Sequence, residues 1–127
     1  MGAPEKPQPV TGISRIWRAL FYSLSGFRLA FRDEAAFRQE LLLVSVLTIA
    51  CLLLPLESWL KVMILTSHVV VLIVELLNTA VESIVDMASP EFHPDAKKAK
   101  DTGSSAVLLA LLLTGGLWIY AICSLLT

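Results

Sequence analysis

The sequence predicts an all-α membrane protein with an N-terminal amphipathic surface helix and three transmembrane helices. Two observations lead to this prediction. Of the 127 residues, 56% are hydrophobic and the mean hydropathy is +0.73, which is too apolar for a water-soluble protein of this length. The apolar residues also fall into three segments, each long enough to cross about 30 Å of hydrocarbon as a helix. We therefore expect lipid to surround most of the chain.

The first segment, residues 1–12, is polar and rich in proline. This composition predicts a disordered tail outside a single membrane domain of residues 13–127. The segment lacks the apolar run of a signal peptide, so we expect none to be present.

Residues 13–33 are predicted to form the surface helix. Apolar and aromatic residues recur there with helical spacing, and arginines occupy the remaining arc: Arg15, Arg18, Arg28 and Arg32. A basic, aromatic-rich amphipathic helix is typical of segments that lie in the membrane interface.

The three transmembrane helices are predicted at 35–56, 59–87 and 95–127. The first reaches spanning length only by including residues 35–40, which precede its apolar run. Pro94 and Asp95 suit the first turn of the third helix. Basic residues lie before the first span and between the second and third, whereas only Lys61 lies on the opposite side. The positive-inside rule then predicts a cytoplasmic N-terminus.

The second span carries an acidic stripe, which we define as Glu75, Asn78, Glu82 and Asp86. At about 100° per residue, these four side chains share one narrow face of a helix. Ionisable groups are costly inside lipid, and a structural ion pair is the ordinary explanation of any single one. Lys61 is the only basic residue in the span, so the carboxylates cannot all be paired within it. The stripe therefore indicates a functional site.

The residue types around the stripe suit phosphoryl transfer to a lipid. Glu82 and Glu34 offer hard oxygen ligands for Mg²⁺, and Lys100 and Arg15 suit phosphate. Glu75 lies deeper, where a lipid hydroxyl could reach it. Neither a P-loop nor a protein-kinase catalytic loop is present in the sequence. We therefore expect phosphate to be held by side chains and metal.

Other polar residues near the stripe have ordinary structural explanations. Glu34, Arg38 and Glu40 could each belong to a solvated charged rim. His68 lies on the Glu75 face about two turns earlier, where we expect a hydrogen-bonded structural role, with proton handling as the alternative.

Three motifs in the same order resemble the prokaryotic diacylglycerol kinase family over about residues 11–127. They are Glu-Ala-Ala-Phe-Arg-Gln-Glu at 34–40, Glu-Leu-Leu-Asn-Thr-Ala-Val-Glu-Ser-Ile-Val-Asp at 75–86, and Ala-Lys-Asp-Thr-Gly-Ser at 99–104. The resemblance implies a homotrimeric bundle in the inner membrane of a bacterium, which uses MgATP to phosphorylate diacylglycerol to phosphatidic acid. The implied partners are membrane lipid, MgATP and further copies of the chain, with no nucleic acid.

The resemblance also implies roles for individual residues. Glu75 matches the general base, Glu34 and Glu82 match the Mg²⁺ ligands, and Asn78 and Asp86 match supporting positions of the catalytic site. The positions implied to bind ATP are Arg15, Tyr22, Glu34, Glu82, Glu91, His93, Lys100 and Asp101. Those implied to bind the lipid substrate are Arg15, Glu75 and Ser104.

Two alternative functions remain open. A kinase of undecaprenol or another polyprenol would share the Glu-x-x-Asn motif, although the 34–40 motif is closer to the diacylglycerol branch. In another class, an oligomeric proton or cation conductor could line its pore with the stripe. A conductor would leave Glu34, Lys100 and Asp101 without a shared purpose. Because three spans can hardly enclose ATP, metal and lipid, we expect sites at subunit interfaces.

Overall fold

The computed structural model describes residues 12–127, which form four α-helices and contain no strand. The helices are α1 (Ile13–Asp33), α2 (Ala35–Leu53), α3 (Ser58–Ala88) and α4 (Pro94–Leu126). The predicted all-helical fold is thereby confirmed. The predicted tail lies outside the described residues, apart from Gly12, which precedes α1.

A single residue, Glu34, separates α1 from α2. Its backbone is extended, with φ −108° and ψ 113°, and its N–H donates to the Ala30 carbonyl at 2.9 Å. Arg38 donates from Nη1 to the carbonyls of Phe31 and Arg32, at 2.9 Å each. Although Arg38 is exposed as expected of a charged rim, it also satisfies carbonyls at the end of α1. Hydrogen bonds from Glu34 and Arg38 therefore stabilise the corner between the two helices.

Prolines explain where the longer helices end and begin. Helix α2 stops at Leu53, short of residue 56, because Pro55 disfavours helical geometry in Leu54, which is extended at φ −72° and ψ 146°. Helix α4 starts at Pro94, where a missing N–H is harmless. His93 caps this helix, and its Nδ1 accepts from the Asp95 N–H at 3.2 Å.

Helix α3 is the central element, because it packs against both α2 and α4. One buried apolar cluster comprises Cys51, Leu56, Leu60, Ile64 and Ala121, and a second comprises Val44, Val71 and Ala110. Each of α2, α3 and α4 is long and apolar enough to cross a membrane. The three predicted apolar helices are therefore confirmed, and the helix that packs against the other two, α3, carries the acidic stripe.

Candidate active site

The acidic stripe becomes more exposed along α3, from the middle of the helix towards its C-terminus. Glu75 is buried, with 4% of its surface exposed. Asn78 and Glu82 are half-buried, and Asp86 is exposed. The four residues share a face as predicted, but each has a different environment.

Asn78 links the stripe to α4. Its Nδ2 donates to Glu82 Oε1 at 3.2 Å, one turn away. Its Oδ1 is buried and has no hydrogen-bond partner within residues 12–127. This oxygen lies against Gly103, where an added Cβ would overlap it. Glycine at this position therefore allows α4 to approach the polar face of α3.

Helix α4 supplies a cation at the C-terminal end of the acidic stripe. Lys100 Nζ lies 2.5 Å from Asp86 Oδ1, and Glu82 also acts on Lys100 electrostatically. Lys97 pairs with Asp101 one turn along α4. Asp86 is therefore paired from another helix, a contact that the basic residues of the second span alone do not predict.

Two carboxylates converge on Glu75. Glu82 from the same helix and Glu34 from the α1–α2 corner are both close enough to interact with Glu75 electrostatically. No three His, Cys, Asp or Glu side chains in the described part of the chain come close enough to hold a metal by themselves. Mg²⁺ in kinase sites is usually held by one or two carboxylates together with phosphate oxygens. Glu34 and Glu82 therefore suit such an ion when nucleotide completes its coordination.

Glu40 is a further carboxylate of the candidate site, and it was not among the residues predicted from sequence. It is half-buried, its Oε2 has no hydrogen-bond partner among the residues described, and Glu75 acts on it electrostatically. The prediction of a solvated rim is therefore wrong for Glu40. Helical spacing could have indicated this position. Glu40 lies three residues after buried Phe37 and four before buried Val44, so all three share the inward face of α2.

A cleft of about 370 Å³ lies between the end of α3 and the start of α4, and charged side chains line it together with apolar ones. We call it the α3–α4 cleft, and its polar lining includes Asp86, Glu91, His93, Lys97 and Lys100. Three of the residues predicted to bind ATP are therefore gathered here. Both carboxylates and cations line the cleft, as expected of a site for a metal-bound phosphate.

A larger cleft of about 540 Å³ lies between α1 and α3, and we call it the α1–α3 cleft. Its lining is mainly apolar and includes Phe27, Leu29 and Leu76, and both Asp33 and Glu34 open onto it. Arg32 bonds Asp33 through both carboxylate oxygens, at 2.6 and 2.9 Å, and holds the pKa of this carboxyl below its usual value. The cleft is therefore an apolar groove next to two acidic side chains.

Other predicted site residues lie apart from both clefts. Arg15 and Tyr22 are exposed on α1, and Asp101 and Ser104 are exposed on α4. None of these four lines the α3–α4 cleft or the α1–α3 cleft. A single chain therefore brings the carboxylates together but leaves part of the predicted ATP set outside.

Comparison with known proteins identifies the family of the chain. The family model for prokaryotic diacylglycerol kinase matches residues 21–122. The chain belongs to the prokaryotic diacylglycerol kinase family. The predicted resemblance is confirmed, and with it the prediction that the chain is an enzyme of the kinase class.

Similar members of the prokaryotic diacylglycerol kinase family come from several bacteria. A protein of Pseudomonas aeruginosa named diacylglycerol kinase is 46% identical over 108 residues, covering 85% of this chain and 88% of the relative. Proteins of the same name from Escherichia coli and Haemophilus influenzae are 40% and 38% identical, each covering 85% of this chain and 88% and 92% of the relative. The similarity therefore extends across most of both chains.

Proposed function

We propose that this protein transfers the γ-phosphoryl group of MgATP to membrane diacylglycerol, forming phosphatidic acid and ADP. The observation that carries the proposal is the convergence of Glu34 and Glu82 on buried Glu75, with Lys100 beside Glu82. The name shared by the relatives, diacylglycerol kinase, supports the same reaction.

Glu75 acts as the general base in this proposal. It accepts the proton of the lipid hydroxyl as that oxygen attacks the γ-phosphorus in line. The bond from the γ-phosphorus to the bridging oxygen breaks, and ADP leaves with the electron pair. Burial of Glu75 keeps water away from the reacting hydroxyl. Asn78 orients Glu82 through the hydrogen bond between them.

The charged groups near the stripe would hold the phosphates. Glu34 and Glu82 would bind Mg²⁺, which offsets the negative charge of the triphosphate when it is bound. Lys100, now paired with Asp86, would turn to a phosphate oxygen and offset the charge of the transferring group. Catalysis then depends on positioning and electrostatics, as expected for phosphoryl transfer.

The two clefts suit the two substrates. The α3–α4 cleft, with Glu91, His93 and Lys100 in its lining, suits the nucleotide. The α1–α3 cleft is mainly apolar and opens at Glu34, which suits the glycerol end and upper acyl chains of the lipid. In this proposal Arg15, Tyr22 and Asp101 contribute to nucleotide binding, and Arg15 and Ser104 contribute to lipid binding.

We further propose a homotrimer in the inner membrane, with α1 in the cytoplasmic interface. Apolar side chains of α1 such as Trp17 and Phe21 are exposed, which suits a helix that rests on lipid. Arg15 and Tyr22 line neither cleft of their own chain, which supports completion of each site by a neighbouring chain.

The direct test is an assay of the purified protein in mixed micelles with Mg²⁺ and radiolabelled ATP. Diacylglycerol and undecaprenol are supplied in separate reactions, and we expect label in phosphatidic acid. Label in undecaprenyl phosphate alone would identify a polyprenol kinase instead. Ion flux in liposomes without ATP turnover would identify a conductor, and either result would overturn the proposal.

Replacing the base gives a sharper test. We expect Glu75→Gln to lower kcat by about 10²- to 10⁴-fold, because the amide keeps the shape of the side chain but cannot accept the proton. The matched control is Glu57→Gln, since Glu57 is exposed in the α2–α3 connection and accepts a hydrogen bond from Trp59. Full activity in Glu75→Gln would reject Glu75 as the base.

A further inference from the structure

A buried histidine joins three of the four helices. His68 in α3 has 2% of its surface exposed. Its Nδ1 lies 2.9 Å from the Thr48 hydroxyl of α2, and its Nε2 accepts from the indole N–H of Trp118 in α4 at 3.1 Å. The His68 and Trp118 rings are nearly parallel, with 16° between their planes and 6.3 Å between their centroids. We call these three residues the His68 node.

The partners determine the protonation state of the ring. An indole Nε1 can only donate a hydrogen bond, so His68 Nε2 must present a lone pair. The imidazole is therefore neutral, its hydrogen is on Nδ1, and Nδ1 donates to the Thr48 hydroxyl. Neither the other tautomer nor the imidazolium fits, because each would place two N–H groups against one another.

The His68 node also matches the register of the candidate base. Thr48 lies eight residues after Glu40 on α2, and His68 lies seven residues before Glu75 on α3. These separations correspond to about 12 Å and about 10.5 Å along the two helices. Helices α2 and α3 run in opposite directions, so the step from the Thr48–His68 pair to the Glu40–Glu75 pair covers nearly the same distance on both helices. The two pairs therefore belong to one continuous contact between α2 and α3.

The packing between these two pairs is apolar. Val44 of α2, Val71 of α3 and Ala110 of α4 form the buried cluster there. Apolar contacts of this kind have no directional preference, so they distinguish weakly between neighbouring helix registers. Interhelical hydrogen bonds in membranes add only modestly to stability, so their main effect here is to select one register.

We propose that His68 is a positioning residue for phosphoryl transfer, whose neutral Nδ1–H tautomer locks α2 and α4 against α3 and so fixes Glu75 relative to Glu40. This inference rests on the proposed function and deepens it. His68 does not touch substrate, and it acts on the reaction through the geometry of the base. Misplacement of a reacting group by about 1 Å is enough to slow an enzyme 10²-fold.

The kinetic test uses His68→Leu in the full-length protein, assayed with diacylglycerol and MgATP in mixed micelles. We expect kcat to fall by about tenfold or more, while KM for MgATP stays within about twofold, because the α3–α4 cleft lies away from the node. His68→Asn, whose amide can donate to Thr48, should recover part of kcat.

The matched control is Ile64→Ala. Ile64 is fully buried on α3 one turn from His68, on the side away from Glu75, and its truncation removes packing without a polar link. We expect this variant to lose thermal stability but keep kcat near that of the wild type. Equal losses of kcat in Ile64→Ala and His68→Leu would overturn the positioning role.

A second measurement does not depend on activity. Nitrogen-15 NMR of imidazole-labelled protein in micelles reports which ring nitrogen carries hydrogen, and the His68 signal is the one lost in His68→Asn. We expect hydrogen on Nδ1; hydrogen on Nε2 would overturn the inference. If the wild type does not phosphorylate diacylglycerol, the proposed function fails, whereas the NMR result still decides whether the tautomer lock exists.

Discussion

At the residue scale, the carboxylates of the site differ in what surrounds them. Glu75 is buried, Glu82 accepts a hydrogen bond from Asn78, and Asp86 is paired with Lys100. A buried carboxylate suits proton transfer, whereas a partly hydrated one suits a metal ion. One helical stripe therefore supplies different chemical groups at different depths.

Glu40 is the residue whose removal we expect to stabilise the protein. Its buried Oε2 has no hydrogen-bond partner in the described part of the chain, and an unpaired buried acceptor is destabilising. We expect Glu40→Leu to raise the free energy of unfolding by about 1 kcal/mol. Activity should fall, since Glu40 interacts with Glu75. Thermal unfolding in detergent and the micelle assay measure the two effects.

The control for Glu40→Leu is Gln39→Leu, because Gln39 is the exposed neighbour on the same helix. This variant measures how much stability is gained simply by adding an apolar side chain to α2. A stability gain no larger than that of the control would show that the Glu40 carboxylate is satisfied in the membrane.

Helical periodicity is what made the stripe predictable from sequence. Glu75, Asn78, Glu82 and Asp86 share a face because of local geometry alone. The partners of these residues come from other helices, and local geometry does not determine which helices touch. This is why the pairing of Asp86 with Lys100 was not predicted, although both residues were identified as site candidates.

At the element scale, the approach of α3 to α4 depends on Gly103. A side chain at this position would meet Asn78 Oδ1, and Asn78 could make room only by turning away from Glu82. The close contact therefore connects helix packing directly to the orientation of a candidate metal ligand.

We expect Gly103→Ala to lower kcat by about tenfold or more, because Asn78 would lose its hydrogen bond to Glu82. The matched control is Gly116→Ala on the same helix, where nothing lies within 4 Å of an added Cβ. Alanine favours helix by about 1 kcal/mol over glycine, so both variants gain the same intrinsic preference. Measuring kcat and thermal unfolding for both variants separates the loss of the Asn78–Glu82 hydrogen bond from the general effect of alanine on the helix. Wild-type kcat in Gly103→Ala would mean that Asn78 is not needed to orient Glu82.

The helix order was predictable because helix breakers mark the ends. Pro55 stops α2, and Pro94 starts α4. The packing of the helices could not be predicted in the same way, because the Thr48–His68 and His68–Trp118 contacts join residues 20 and 50 positions apart. His68 is hydrogen-bonded as predicted, but neither of its partners could be identified from the local sequence.

At the scale of the whole molecule, the surface has more apolar area than one chain covers. Large side chains on α1, α2 and α4 are exposed, among them Trp17, Leu53 and Leu112. Lipid or further copies of the chain must therefore cover these helices. Arg15 and Tyr22 lie on this uncovered surface, away from both clefts of their own chain.

Mixing two inactive variants tests whether sites are shared between chains. We expect Arg15→Met and Glu75→Gln each to be inactive alone. If each site takes Arg15 from one chain and Glu75 from the next, co-expression in equal amounts should restore about a quarter of wild-type activity by random assembly. The micelle assay measures the recovery. If all site residues come from one chain, the mixture should remain inactive, because every chain carries one defect.

The one-residue corner at Glu34 limits where the chain length can change. An insertion between Asp33 and Glu40 would rotate every following side chain of α2 by about 100°, turning Glu40 away from Glu75. The connections at 54–57 and 89–93 have several non-helical residues that could absorb such a change. The length of the corner is therefore fixed by the position of Glu40. We expect insertions and deletions in related chains to fall in the two connections instead.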